Sequence, residues 1–305
     1  MIKKTIRAQN KEAELKGGIK VGGLSKKEKS TEVLFREALA KESNSFLKCL
    51  MKELENNYSV LRAYNAKYSS GLDRDPSPST IEMILRRYKK IISTIFKKNI
   101  KKISKRFIKK LSISQKKQLS EDLKKMVGSS FRVSYNKEEY GEALKVMVAR
   151  NVSLITNTAE KSLSDISTVV YNAITSGQGW SEVTKDLSRI KGMTDKRIKG
   201  IARDQTAKFN ADFNQLEQKN AGIKFFRWET ARDERVSTGK GGHKQLEGKI
   251  YKWGDEKNYP VIDSYGHRGL PSQRPFCRCR AAAVILDDGW EMVQNPDGSY
   301  TPKKI

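Results

Sequence analysis

Residues 84–111 read ILRRYKKIISTIFKKNIKKISKRFIKKL, and neither glycine nor proline occurs there or anywhere in Ser79–Val127. Ile84, Tyr88, Ile91, Ile95/Phe96, Ile100, Ile103, Phe107 and Leu111 recur at spacings of three and four. That period predicts one face of a long helix that buries against a partner. Between those positions run the basic pairs Arg86-Arg87, Lys89-Lys90, Lys97-Lys98, Lys101-Lys102, Lys105-Arg106 and Lys109-Lys110. From Ile84 to Met126 there are sixteen Lys/Arg and two acids, a net +14 in 43 residues. So dense a cationic face repels itself, and a polyanion relieves the repulsion. Sequence-independent contact with a phosphate backbone is one reading, with these twelve Arg and Lys residues as the DNA-contact candidates. A solvated lysine-rich face on a helix that only packs is the other, and an anionic membrane surface is a third.

The same contrast divides the whole chain. Glu142–Ser176 also lacks glycine and proline, whereas Gly and Pro are dense after Gly222, where Trp228, Trp253 and Trp290 also fall. The expected class is therefore α+β: a long-helix N-terminal region followed by a small, loop-rich α+β C-terminal module. Residues 1–30 read as a basic mobile arm and 31–192 as a helical region containing the basic helix 84–126. The C-terminal module occupies 193–290, and 291–305 is a tail. Within the helical region, a first helix starts near Ser30-Thr31 and runs to about Asn57 with Val33, Leu34, Ala38, Phe46, Leu50 and Leu54 on one side. Residues 69–79 form a turn or linker, and a third helix carries Leu144, Met147/Val148, Leu154/Ile155, Leu163, Ile166, Val170 and Ile174. A short helix begins at Ser181, and another runs from a Thr194 cap to a Gly222 stop.

Composition narrows the class of function. The 305 residues hold 61 Lys+Arg against 35 Asp+Glu, a net charge of +26 and an isoelectric point near 9.9. That balance points to nucleic acid first and an anionic membrane second. Mean hydropathy is −0.68, polar for a globular protein, yet 37% of residues are apolar, too many for a wholly disordered chain. No apolar run approaches the ~20 residues of a membrane-spanning helix, and the basic N-terminus lacks the apolar core of a secretory signal. Three cysteines make no disulfide framework, which suits a reducing cytosol.

Both histidines and two of the three cysteines lie between His243 and Cys279. His243, His267, Cys277 and Cys279 are the right number and type for a tetrahedral, structural Zn2+ site, although Cys-x-Cys is not the spacing of a standard finger. The alternative is that Cys277 and Cys279 are small residues on the buried face of a strand entering Ala281–Leu286. His243 is also a candidate general base of a small nuclease or toxin-like enzyme, with Arg235 or Arg278 stabilising phosphate charge. A histidine before a glycine turn is otherwise a structural hydrogen bonder. No P-loop, Ser/His/Asp set or paired-carboxylate motif is visible, and the expectation is that the chain is not an enzyme.

The run Arg203-Asp-Gln-Thr206, then Asn210, Gly222-Ile223, Trp228, Asp233-x-Arg235-Val236, His243, Leu246, Gly248 and Pro275-x-Cys277-Arg278-Cys279 resembles the phage Mu F-like family. These are minor head, or head morphogenesis, proteins of tailed bacteriophages. The resemblance covers roughly residues 195–286 and assigns Arg203, Trp228, Asp233, Arg235, His243, Gly248, Cys277, Arg278 and Cys279 to family positions, as scaffold. It implies a virion protein of the phage head, made in the host cytoplasm, with portal protein, major capsid protein or both as partners and double-stranded DNA nearby. Two departures stand out. The family often has Arg-Thr-Glu-Thr at 203–206, and many members have a His three residues before the first Cys, where this chain has Arg274.

Overall fold

A computed structural model describes residues 19–21, 28–68, 79–127, 137–176 and 178–305. The expected linker at 69–79, apart from its last residue, and most of the expected arm at 1–30 lie outside them. The class is α+β, with long helices followed by an antiparallel sheet. The chain divides into two compact units. One comprises Ser30–Ile108 with Leu144–Arg203, and the other Lys109–Ala143 and Asp204–Ile305 with the residues up to Lys29.

In the helical unit, α1 spans Glu28–Tyr68, eleven residues beyond the expected end. Its buried face is Phe35, Leu39, Phe46, Leu47, Leu50 and Leu54, whereas Leu34 is exposed, so the face is rotated from the one expected at its N-terminal end. The next helix begins as α2 (Ser79–Ile91), widens through a π-turn at Ile92–Phe96, and continues as α3 (Lys97–Val127). Between Ile84 and Ile108 one buried row is Ile84, Tyr88, Ile92, Phe96, Ile100, Ser104 and Ile108, a spacing of four, with Ile81, Phe107 and Leu111 buried beside it. On a helix of 3.6 residues per turn that spacing drifts by about 40° per step, and a wider i→i+5 turn removes part of the drift. The consequence is that Ile92 is fully buried while Ile95 is 60% exposed, a correction to the expected stripe. Phe35 stacks on Phe107 with ring centroids 3.8 Å apart. Phe46 meets both Tyr88 and Phe96, and Asn99 donates to Glu42 at 2.7 Å.

Helix α4 spans Lys137–Thr175 and buries Met147, Val148, Ile155, Leu163, Ile166 and Val170, much as its period predicts. Helix α5 runs unbroken over Trp180–Asn220, where two helices meeting at Thr194 were expected. Thr194 does not cap. Its hydroxyl donates back to the Ile190 carbonyl at 2.9 Å and meets Ser162 Oγ at 2.7 Å, both buried. A polar residue that reads as a helix start is satisfied inside the helix by the previous turn and by a neighbouring helix. The expected stop holds. Gly222 takes φ +74°, and the Ile223 N–H returns to Gln218 O at 2.9 Å, closing the helix with a left-handed residue.

The second unit carries a six-stranded sheet in the order β1-β4-β2-β3-β6-β5. The strands are β1 (Ile19–Val21), β2 (Phe225–Glu229), β3 (Ile250–Lys252), β4 (Arg280–Leu286), β5 (Trp290–Gln294) and β6 (Tyr300–Lys304). Every pairing is antiparallel, and β2 lies against β4 from Phe225↔Val284 to Glu229↔Arg280. Residues 291–305 are thus not a tail but most of a hairpin joined to β3 at Ile250↔Tyr300. Phe226, Trp228, Tyr251 and Trp253 form the centre of the core. Gln218 of α5 anchors the helix to it by accepting from buried Trp253 Nε1 at 3.0 Å and donating to Ala281 O at 3.1 Å.

Candidate functional site

The site is built by loops that leave the sheet on either side of Trp228. The segment after β2 is held at its base by Glu247, whose carboxylate accepts from the Thr230 backbone and hydroxyl, both at 2.6 Å, and from Arg232 at 2.7 Å. Burial raises the Glu247 pKa, but the Thr230 and Arg232 donors together outweigh it and leave the carboxyl below its ordinary value. The loop then doubles back through Gly241, whose φ is +68° and whose missing Cβ leaves room for the Asp263 backbone. It enters a 3-10 turn at His243–Leu246. The other side is the segment before β4, where Phe276 takes φ +59° and its N–H donates to Asp204 Oδ1 at 2.6 Å.

These turns bring three predicted residues together. His243, Cys277 and Cys279 are all buried, with donor atoms within 4.8 Å of one another. His243 Nδ1 lies 3.3 Å from Cys277 Sγ and 3.4 Å from Cys279 Sγ. His243 Nε2 is 3.1 Å from the Ile262 carbonyl; because that oxygen only accepts, Nε2 carries the proton. This second contact fixes the ring and aims Nδ1 at the sulfurs, the usual outer-shell arrangement of a ligating histidine. A zinc ion with bonds of about 2.3 Å to sulfur and 2.0 Å to nitrogen has tetrahedral S···N edges of about 3.5 Å. The donor set therefore fits such an ion. The indole Nε1 of Trp228 supplies a second indication. It is buried without a hydrogen-bond partner among the described residues, the ring lies edge-on to His243 at 5.4 Å, and its N–H favours charge on Cys279. A thiolate there would give the indole the acceptor it lacks.

Cys277 is held well below the ordinary thiol range by the Cys279 side chain and then by His243, against the cost of burial. Cys279 is pushed up by Cys277 and by burial. Both cysteines are buried among the core residues, as the strand-face reading also expects. Both precede β4, and both line the centre while Arg278 between them turns elsewhere.

His267 is not part of the centre. Its side chain is 73% exposed and its Nδ1 pairs with Asp263 Oδ2 at 2.8 Å, because the turn that holds it closes locally on Asp263. Position 274 holds Arg274, which donates to the same Ile262 carbonyl at 2.9 Å. Of the remaining family positions, Asp233, Arg235, Gly248 and Arg278 form the surroundings. Arg278 forks onto Asp233 with two bonds of 2.5 Å, Arg235 reaches Asp233 at 3.2 Å, and the Gly248 N–H donates to Trp228 O at 2.8 Å. Arg203 lies half-buried in α5. A cleft of about 250 Å³ is lined by His243, Cys277 and Cys279 together with Arg235, Arg274 and Arg278.

Nothing along the chain signals Ile262, Glu247 or Gln218. Asp204 stands inside the Arg203-Asp-Gln-Thr206 departure, its only mark. All twelve DNA-contact candidates from Arg86 to Lys110 are exposed. Arg86 pairs with Glu82 and Arg87 with Glu53, and no carboxylate among the described residues pairs with the others.

Fold and site together define an α+β chain whose C-terminal module is organised around a buried His/Cys/Cys centre and an Asp–Arg fork. Residues 164–282 match the family described as "Phage Mu protein F like protein", so this segment of the chain is similar to that family. A relative in Haemophilus influenzae (strain ATCC 51907 / DSM 11121 / KW20 / Rd), described as "Uncharacterized protein", is 27% identical over 160 residues. The match covers 52% of this chain and 33% of the relative, so the chain spans about a third of that protein's length. No solved structure matches. No helix among the described residues is long and apolar enough to cross a membrane.

Proposed function

We propose that this chain is a minor head protein acting in the head morphogenesis of a tailed phage. Its C-terminal module docks on portal or major capsid protein, and its lysine-rich helix holds packaged double-stranded DNA without reading sequence. The chain resides in the virion after assembly in the host cytoplasm. The observation that carries the DNA part is the exposed run from Lys89 to Lys110, which has no acidic partner among the described residues. Such a surface binds polyanions by releasing their counterions. The family match supports the assignment to the head.

The module's centre holds one Zn2+ through His243 Nδ1, Cys277 Sγ and Cys279 Sγ, where it cross-links the two loops. We read the chain as a binder rather than an enzyme. His243 is 4% exposed and both of its ring nitrogens are engaged, which does not suit that imidazole to act as a general base. The test of DNA binding is titration of the full chain against a fluorescent duplex at several salt concentrations, in wild type and with Lys97, Lys98, Lys101, Lys102 and Lys105 changed to Gln. The expected result is affinity that falls with salt and a shallower slope in the variant, by about 0.9 for each phosphate the variant no longer neutralises. Salt-independent binding, or no binding, overturns it.

A further inference from the structure

The zinc reading leaves the tetrahedron one ligand short, and what surrounds the fourth corner is specific. Among the described residues no other His, Cys, Asp or Glu joins the group of three. His267 is bound to Asp263 on the surface, and Arg274, on the cleft wall with the three donors, is a cation that donates to Ile262 O. The three donors face a cleft of about 250 Å³, several times the ~30 Å³ share of one water molecule. It opens to solvent, since Arg235 on its wall has a side chain 64% exposed and Phe276 on its lip is 65% exposed.

We propose that the fourth ligand comes from outside the chain and is a phosphate oxygen, held in the cleft by Arg235 and Arg274. This rests on the zinc reading. Charge favours an anion. Two thiolates balance a divalent ion, while three guanidiniums line the cleft and Asp233 answers chiefly the one on Arg278. Arg235 gives Asp233 one 3.2 Å side-chain bond and Arg274 spends one nitrogen on Ile262 O. Both keep donors for the planar, two-pronged contact that phosphate takes from arginine. The lip adds a preference. Phe276 is a non-glycine residue at φ +59°, pinned there by Asp204, and its ring stands in solvent. Backbone held in a rare conformation to display an apolar ring suits a phosphate ester with an aromatic body better than bare phosphate.

The test uses the full chain loaded anaerobically with Co2+, which takes zinc sites and reports its ligands by visible absorption. Inorganic phosphate, a nucleoside 5′-monophosphate and the matching nucleoside are titrated separately. The expected result is a saturable change of the cobalt bands with both phosphates, tighter for the nucleotide, and none with the nucleoside. Arg274→His supplies a fourth protein ligand and should keep the cobalt while abolishing the response. Arg235→Ala should keep both cobalt and response and weaken the phosphates by about tenfold. Tighter binding of inorganic phosphate would overturn the role of Phe276. Bound cobalt whose spectrum neither phosphate moves, or an equal response in Arg274→His, overturns the proposal and leaves the zinc reading standing. Failure of wild type to retain about one equivalent of cobalt overturns the zinc reading itself.

Discussion

Arg278 and Asp233 form a two-pronged ion pair, with guanidinium Nη1 and Nη2 each 2.5 Å from a carboxylate oxygen. This single contact joins the Asp-x-Arg-Val run to the Cys-Arg-Cys run, which lie 45 residues apart. Because Arg278 turns toward Asp233, its two neighbours turn toward His243. The fork thereby sets the direction of both sulfurs.

The Arg278 side chain holds the Asp233 carboxyl well below the usual carboxylate range, with Arg235 assisting. A folded-state pKa lowered in this way stabilises the fold above the unfolded value of about 4, and the contribution is lost as pH falls below that. Urea midpoints measured from pH 6 down to pH 2 should decline in wild type and decline less steeply in Asp233→Asn. Parallel profiles would show that the fork contributes nothing to acid sensitivity.

Zinc bound at His243, Cys277 and Cys279 should couple to folding of the module, because the ion ties the loop after β2 to the segment before β4 beyond the end of that strand pair. Protein purified without added metal should contain about one equivalent by elemental analysis. A strong chelator should lower the unfolding temperature, and Cys277→Ser with Cys279→Ser should remove both the metal and the chelator effect. Less than about half an equivalent in wild type would count against a stoichiometric site.

Gln218 is 1% exposed and joins Trp253, Ala281 and Asn214. Replacing it with Leu keeps much of the volume and strands the Trp253 N–H in an apolar core. The expected loss is about 1–3 kcal/mol of stability, read as a lower denaturation midpoint. A change under about 0.5 kcal/mol would show that the module relaxes around the missing amide.

Gly241 and Gly222 both take positive φ, but only Gly241 is crowded by neighbouring backbone. Gly222→Ala should therefore cost only the left-handed penalty of about 1–2 kcal/mol. Gly241→Ala should cost more and also lower zinc content, because the loop that delivers His243 has to move. Equal costs with equal zinc would separate the loop from the centre.

In the helical unit, Ile92→Ala should cost about 2–5 kcal/mol, whereas exposed Ile95→Ala should stay within about 0.5 kcal/mol. Thermal unfolding of the two variants checks the phase of the helix directly. The reverse order would place Ile95 on the buried face.

The same two isoleucines mark where sequence reading stops. Apolar period alone is enough to place the long helices and the helical-to-mixed transition near Gly222, since glycine-free amphipathic runs and a left-handed stop are local signals. It misses the π-turn, because a stripe spaced by four differs from one spaced by three and four only in accumulated angle. Thr194 reads as a cap in any local window, and only its buried contact with Ser162 reverses that. The centre is partly legible: His243, Cys277 and Cys279 stand out as residue types, and His267 stands out equally. Nothing along the chain distinguishes a histidine whose Nε2 meets a buried carbonyl from one closed on an aspartate four residues earlier. Partners such as Ile262 act through a backbone oxygen, which every residue has.

Strand β1 pairs Ile19 with Leu286 and Val21 with Val284. During synthesis Val21 leaves the ribosome more than 260 residues ahead of its partner. At roughly 5–20 residues per second, this edge waits on the order of tens of seconds before it can pair. Until then β4's eventual neighbour is an unpaired segment, open to pairing with another nascent copy. A truncation that discards residues 1–30 as dispensable would remove that segment and leave the outer edge of β4 bare in the finished molecule.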